Sequence, residues 1–185
     1  TYELSRLLRG QGGSEWAMGD PLAAGAPFVL LDEQVIAIAH GLDVLGQTMQ
    51  LRVIAAGRDH CDPATVALTA TPQATALRPL APVHLRATRS VDGVAFTWTR
   101  RTRRDGDSWD ALEVPLGEAT EAYEIDVLDG TAVKRTLTAN TTSVLYAAAD
   151  ELADFGAPQT NLTVRVAQLS ATVGRGYAAE ANLTP

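Results

Sequence analysis

The sequence predicts an all-β chain that ends in an antiparallel β-sandwich. Two observations predict this class: short runs in which apolar and polar residues alternate, and turn residues between those runs. A third is that no stretch has the apolar period of a convincing amphipathic helix. With 46% hydrophobic and 20% charged residues, the chain can bury enough apolar surface to fold, which excludes intrinsic disorder.

The 185 residues allow one large domain or two small ones, and a boundary is predicted near residue 80. The segment 69–82 contains three prolines, many small residues and one charge, and it has neither the helical nor the strand period. Such a composition is typical of a linker or a long crossing segment. We therefore expect a β-rich segment over residues 1–76, as part of a larger domain, and a second domain over 77–185.

The N-terminal part is predicted to be β-rich but irregular. Its strand candidates are residues 28–31, 35–39 and 49–55. Residues 32–34 are expected to turn the first of these into the second. Tyr2 and Leu4 would begin a further strand, which the glycines at 10, 12 and 13 would interrupt.

The C-terminal part is predicted to contain the seven strands of a small sandwich. These β-like segments are residues 83–88, 94–99, 122–127, 132–137, 144–149, 162–169 and 177–183. In the third segment, Glu124 and Asp126 fall opposite the apolar face and are expected to point outward. Asp129 and Gly130 mark a tight hairpin, and one helical turn is expected at 150–155.

Four sequence features from residue 81 onward occur in a recognisable order. Ala81 and Pro82 precede the first strand, Trp98 lies in the second, Tyr123 lies in the third, and VRVAQLSATVGRG at 164–176 leads into the last. This order resembles that of a fibronectin type III domain. Two departures are that Leu162 stands where the penultimate strand usually carries a tyrosine, and that the segment 101–120 is longer than the usual loop.

Five longer stretches follow one another along nearly the whole chain. They are LSRLLRGQGGSE at 4–15, AGAPFVLLD at 24–32, LRPLAPVHLRA at 77–87, WTRRTRRDGDSW at 98–109 and VPLGEATEAY at 114–123. These stretches resemble the C-terminal region of the large baseplate hub protein of gene transfer agents and related long-tailed phages, also called the megatron or host-specificity protein. The resemblance implies a trimeric structural component of the virion tail tip, made in the bacterial cytoplasm, with fibronectin-like domains where the particle meets the cell envelope.

Charge and composition argue against several function classes. The net charge of −7 and the pI near 4.9 argue against nucleic-acid binding, which depends on clustered Lys and Arg. No apolar run approaches the roughly 20 residues that cross a bilayer, so no membrane span is expected. The single cysteine, Cys61, cannot form an intramolecular disulfide. The sequence opens at Thr1 without a signal-peptide pattern, and we expect it to be a piece of a longer protein.

The densest charge feature is an arginine cluster followed by an acidic stretch. The cluster consists of Arg100, Arg101, Arg103 and Arg104, and residues 105–129 hold nine of the 22 acidic residues and no basic one. The two groups could pair across a subunit interface, where charge complementarity sets partner and register. The alternative is that they pair locally in a solvated loop.

Trp109 belongs to the same long loop and is a further candidate interaction residue. It could stack on a sugar or form a hot spot against another subunit. The alternative is that it folds back and covers the edge of the sandwich.

No catalytic, cofactor-binding or metal site is predicted. The run 12–16 lacks the closing glycine of a nucleophile elbow, and the run 10–13 does not continue into the Lys-Ser/Thr of a phosphate-binding loop. His60, Cys61 and Asp62 are ligand types without the spacing of a zinc site. The carboxylates of the acidic loop invite a glycosidase proposal, but sequence alone gives no separation between them.

We therefore predict a structural component of a phage-like tail tip that contributes to tail assembly and to host-cell attachment or DNA delivery, and that is not an enzyme. Its expected partners are other hub and tail-tip subunits, as a homotrimer in the particle, and a host envelope glycan or receptor. The alternative function is a cell-surface module that binds glycan through the loop 101–120.

Overall fold

The chain of the computed structural model divides into two compact units. One unit comprises Thr1–Pro21 and Arg78–Pro185, and the other comprises Leu22–Leu77. The structure describes residues 3–19, 21–33, 35–106, 108, 110 and 112–185. Within that described part, the sheets are antiparallel and the only α-helix is short, which confirms the all-β prediction.

The smaller unit contains one two-stranded antiparallel sheet. Strand β1 spans Met49–Val53 and strand β2 spans Val66–Ala70. Short 3₁₀ turns lie at Leu42–Val44 and Thr75–Leu77. Because side chains alternate along a strand, the cross-strand pairs of this register put six apolar residues on one face. They are Met49, Leu51, Val53, Val66, Leu68 and Ala70. None of the described residues of this unit is buried.

Two of the strands predicted for this unit are wrong. Residues 28–31 and 35–39 form no strand, although a turn links them through the Val35 N–H and the Asp32 carbonyl at 3.1 Å. An apolar run becomes a strand only when a neighbouring strand accepts its backbone hydrogen bonds, and within the described residues no such neighbour is present. Leu31 and Ile36 are accordingly 81% and 85% exposed.

The larger unit is a sandwich in which three strands face four. The strands are β3 Val83–Ser90, β4 Gly93–Thr99, β5 Tyr123–Asp129, β6 Ala132–Ala139, β7 Ser143–Ala147, β8 Leu162–Ser170 and β9 Gly174–Leu183. One sheet has the order β3-β4-β7 and the other has the order β6-β5-β8-β9. All seven predicted strands are confirmed, and the architecture is a fibronectin type III-like antiparallel sandwich.

The core lies between the two sheets and is built from alternate residues of the central strands. Its buried members are Val94, Phe96, Trp98, Tyr123, Ile125, Val127, Tyr146, Leu162, Val164 and Val166. Phe96 stacks against Tyr146 with ring centroids 6.3 Å apart, and Trp98 meets Tyr123 edge to face at 5.1 Å. Trp98 is therefore a core residue at the end of β4.

The hairpin between β5 and β6 forms where the sequence predicts it. Asp129 pairs with Ala132, and Gly130 between them adopts a φ of 59°. This left-handed conformation costs glycine little because it has no Cβ.

A short helix, α1, spans Ala148–Phe155 between β7 and β8 and is longer than the single predicted turn. It ends at Gly156, whose φ of 76° lets its N–H donate to the Leu152 carbonyl at 2.8 Å. No helix in the described part of the chain is long and apolar enough to cross a membrane.

Two bidentate ion pairs hold α1 against the sandwich. Arg89 donates to both carboxylate oxygens of Glu151, at 2.8 and 3.0 Å. Arg135 donates to both oxygens of Asp154, at 2.7 and 3.0 Å. Such fork-to-fork pairs fix orientation as well as adding energy. The hydrogen bonds from Arg89 lower the pKa of Glu151, although its burial acts in the opposite direction.

Residues 11–17 form two short 3₁₀ turns, Gln11–Gly13 and Glu15–Ala17, and they pack on the sandwich. Trp16 stacks on Tyr177 of β9 with centroids 5.1 Å apart and planes 7° from parallel. The residues up to Pro21 therefore group with the sandwich, whereas the division made from the sequence placed residues 1–76 together.

Replacing a core residue is expected to destabilise the sandwich strongly. Ile125 is fully buried, so Ile125→Ala should lower the free energy of unfolding by about 2–5 kcal/mol through lost burial and the cavity left behind. Val133 is 49% exposed, and Val133→Ala should change it by no more than about 0.5 kcal/mol. Urea denaturation of the full chain measures both, and equal effects would contradict the core described here.

The Arg89–Glu151 pair predicts a pH dependence of stability. Because the folded-state pKa of Glu151 is lowered, its contribution is complete above the unfolded pKa near 4.5 and is lost as pH falls through the lower, folded value. Glu151→Gln should cost about 1–3 kcal/mol at pH 7, since Arg89 then lacks its charged partner. The deficit should shrink as pH falls below about 4.5.

The control for this pH dependence is Glu180→Gln, which removes a carboxylate that is half exposed and paired with Arg165. Denaturation at several pH values compares the free energies of unfolding of the unchanged chain, Glu151→Gln and Glu180→Gln. A deficit for Glu151→Gln that stays constant with pH would show that Glu151 is not a charged anchor.

Candidate functional site

The four arginines singled out in the sequence lie where β4 ends and the long loop to β5 begins. The side chain of Arg100 is 12% exposed, and its Nη2 donates to the Val114 carbonyl at 2.7 Å. Carboxylates of Glu113 and Glu121 lie 3.8 and 3.7 Å from its guanidinium nitrogens. Arg100 therefore joins the start of the loop to its later residues Glu113, Val114 and Glu121.

Two more arginines of the cluster pair within the chain. Arg101 forms an ion pair with Glu15, and this hydrogen bond lowers the pKa of Glu15. Arg103 pairs with Glu118 at 2.5 Å, with both side chains largely removed from solvent. These contacts are the local pairing that the sequence offered as one alternative.

Arg104 differs from its neighbours. It is exposed, and no ion pair joins it to a carboxylate in the part of the chain that the structure describes. The Thr102 hydroxyl accepts from the Arg104 N–H at 3.1 Å, which turns the backbone sharply at this point. The role of the cluster in a subunit interface stays a prediction.

Trp109, the fifth candidate, lies outside the described residues, so its role stays a prediction as well.

A cavity of about 500 Å³ opens beside Arg100 at the same end of the sandwich. Its lining includes Trp98, Arg100, Val114, Glu121, Thr141 and Thr142. The Trp98 N–H of the backbone donates to the Thr142 carbonyl at 3.1 Å, which holds the β6–β7 turn beside β4. Sequence reasoning missed this cavity because its walls come from the end of β4, the long β4–β5 connection and the β6–β7 turn. The only local signal was Arg100 two residues after a core tryptophan.

Glu121 of the cavity lining is held by a tyrosine of the core. The Tyr123 hydroxyl donates to Glu121 at 2.8 Å. Burial raises the pKa of Tyr123, the bond to Glu121 acts in the same direction, and Arg100 and Trp98 oppose it. The Trp98 indole N–H is buried away from solvent and lies against the Tyr123 side chain, where its donor character lowers the pKa of the Tyr123 hydroxyl.

Asp126 lies on the face of β5 opposite the core, as expected, but it is not exposed to solvent. It is 3% exposed, and it accepts from the Thr136 hydroxyl at 2.8 Å and from Arg175 at 2.6 Å. Glu124 pairs with the same arginine at 3.2 Å. Arg175 comes from β9 and lies over the β5 carboxylates, and this cross-strand cover is not visible in the alternation of β5 alone.

The smaller unit brings three metal-ligand types together. The ligand atoms of Asp59, His60 and Cys61 lie within 4.8 Å of one another, and all three residues are exposed. The sequence had singled out His60, Cys61 and Asp62 instead. Asp59 already accepts the Cys61 N–H at 2.6 Å, and Asp62 pairs with Arg58 at 3.4 Å. Three exposed, consecutive residues do not form the enclosed site that holds a structural metal.

No family model and no curated protein matches this sequence. Among solved structures, it is similar to domains d3–d4 of the rat CD45 extracellular region, with 10% identity over 91% of this chain and 80% of that one, at a TM-score of 0.42. It is also similar to the FN5 domain of Drosophila Lar, with 16% identity over 58% of this chain and 98% of that one, at a TM-score of 0.30. A third similar structure is the Clostridium perfringens spore cortex lytic enzyme SleM, with 16% identity over 58% of this chain and 29% of that one, at a TM-score of 0.36. At these scores the similarities carry no argument about function, and the fold rests on the strand order above.

The different environments of two neighbouring arginines give a testable contrast. Arg103→Ala leaves the nearly buried Glu118 carboxylate without its cation and should lower the free energy of unfolding by about 1–3 kcal/mol. Arg104→Ala removes an exposed side chain and should change it by less than about 0.5 kcal/mol. Thermal or urea denaturation compares them, and a larger loss for Arg104→Ala would contradict the pairing.

Proposed function

We propose that this chain is a structural component of the tail tip or baseplate hub of a phage-like particle of the gene transfer agent type. In this function it contributes to tail assembly and to host-cell attachment or DNA delivery. The sequence stretches that resemble the hub protein suggest the particle, and the surface of residues 22–77 supports a role inside an assembly. We propose no catalytic role.

The observation that carries the proposal is the apolar surface of the smaller unit. Its exposed large hydrophobic side chains are Leu22, Phe28, Val29, Leu30, Leu31, Val35, Ile36, Ile38, Leu42, Val53, Ile54, Val66 and Leu68. A two-stranded sheet with no buried residue is at best marginally stable in water. Large exposed apolar patches on soluble proteins mark surfaces that another protein covers. Neighbouring subunits of the hub, in a homotrimer, would cover these apolar side chains and stabilise the unit.

The sandwich has the opposite character. Its core is closed between the two sheets, and Arg89 and Arg135 fix its helix. Its two sheets bury their inward-facing side chains against each other, so it suits a module that is presented on the particle surface. We therefore propose that residues 22–77 serve assembly and that the sandwich faces outward.

Hydrogen exchange tests this division of roles. In the purified full chain, backbone amides of β1 and β2 should exchange quickly, while those of β5 and β8 should be strongly protected. In assembled particles, the amides of β1 and β2 should become protected, because neighbouring subunits cover them. Equal exchange of β1 and β2 in free chain and particle would contradict the assembly role.

A substitution sharpens the same test. Leu68→Asp puts a charge on the apolar face of the small sheet and should block incorporation into particles. The matched control Thr69→Asp puts the same charge on the opposite face of the same strand and should allow incorporation. Quantitative immunoblotting of purified particles measures both variants.

A further inference from the structure

We propose that the cavity at the Trp98 end of the sandwich, bounded by Arg100, Glu121 and Thr142, binds a neutral saccharide unit. The ligand would bind the sandwich itself, and its binding does not require the chain to belong to a tail. The walls of the cavity combine residues 112–114 of the loop 101–120 with the end of β4, Glu121 and the β6–β7 turn.

The size of the cavity fits a ligand of one or two sugar rings. Its volume of about 500 Å³ lies within the roughly 300–1,000 Å³ of small-molecule sites in proteins. It sits where the loops of a sandwich cluster, which is where such domains carry their binding residues.

The charges of the lining select a neutral ligand. One guanidinium, that of Arg100, faces the carboxylates of Glu113 and Glu121 at 3.8 and 3.7 Å. An anionic ligand would meet two carboxylates, and a cationic ligand would meet the arginine. A neutral ligand avoids both repulsions.

The hydrogen-bonding groups select a ligand that both donates and accepts. Arg100 makes one short hydrogen bond, to the Val114 carbonyl at 2.7 Å, so its guanidinium has further N–H donors to offer a ligand. Glu121 offers carboxylate acceptors. A sugar hydroxyl donates one hydrogen bond and accepts up to two, so adjacent hydroxyls can serve all of these groups at once.

The site is organised before a ligand arrives. Arg100 is held by the loop carbonyl and the flanking carboxylates, and Glu121 is fixed by the Tyr123 hydroxyl at 2.8 Å. The Thr142 carbonyl is bonded to the backbone of Trp98 at 3.1 Å. Side chains that are already ordered lose little entropy on binding.

The test is a titration of the ¹⁵N-labelled full chain with glucose, galactose, mannose and N-acetylglucosamine, each added separately. The chain has three tryptophans, so the indole region of the spectrum contains three signals. Trp16→Phe and Trp109→Phe identify two of them, and the third then belongs to Trp98 without disturbing the core. The Trp98 signal should shift saturably in the millimolar range with at least one of these sugars.

Two near-isosteric variants and one control locate the site. Thr142→Val and Glu121→Gln should each weaken binding about tenfold, the equivalent of one hydrogen bond of roughly 1.4 kcal/mol. Arg104→Ala, which changes the same loop outside the cavity, should leave binding unchanged. Unaltered binding in both cavity variants would overturn the assignment of the site.

Three other outcomes would also overturn the proposal. One is the lack of any saturable shift of the Trp98 signal with all four sugars. The second is a shift with glucose 6-phosphate but with none of the neutral sugars, and the third is a shift with ethylamine alone. Either of the last two would show that the charge of the cavity selects an ion.

Discussion

Two buried tyrosines link the core of the sandwich to the cavity beside Arg100 and to helix α1. The rings of Tyr123 and Tyr146 lie in the core, and their hydroxyls donate to Glu121 at 2.8 Å and to Asp154 at 2.7 Å. A buried phenol needs an acceptor, so each carboxylate is held at a fixed place relative to the core. Glu121 in turn faces Arg100 in the cavity, and Asp154 anchors the helix. Burial raises the pKa of both tyrosines, which keeps them as donors.

The acidity of the chain is largely compensated close to where it arises. Three of the four loop arginines pair with Glu113, Glu121, Glu15 or Glu118, and Arg175 covers the carboxylates of β5. Pairs of this kind at low exposure stabilise a specific loop path more than they add net free energy. These contacts hold the described parts of the long connection between β4 and β5, and a cavity lies beside Arg100 at its base.

The sandwich was predictable because each of its strands carries its own signal. Phe96 and Trp98, or Ile125 and Val127, alternate with polar residues and reveal their inward face from sequence alone. The cavity was not predictable, since Thr142 and Glu121 meet Trp98 only through the pairing of strands distant in sequence. Contacts between residues distant in sequence also explain why the strand at 28–31 and the exposure of Asp126 were predicted wrongly. Residues 28–31 carry β-forming residues without a neighbouring strand, and Asp126 is buried by an arginine that lies 49 positions away.

The chain leaves the sandwich unit at Pro21 and returns to it at Arg78. Residues before and after this segment contact the last strand: Trp16 stacks on Tyr177, and the Tyr177 N–H donates to the Pro79 carbonyl at 3.0 Å. Residues 22–77 are thus an insertion between two segments of the sandwich unit. The entropy of closing such a loop grows only logarithmically, by roughly 0.6 kcal/mol for each doubling of its length. Changes of length within residues 22–77 should therefore cost the sandwich little stability.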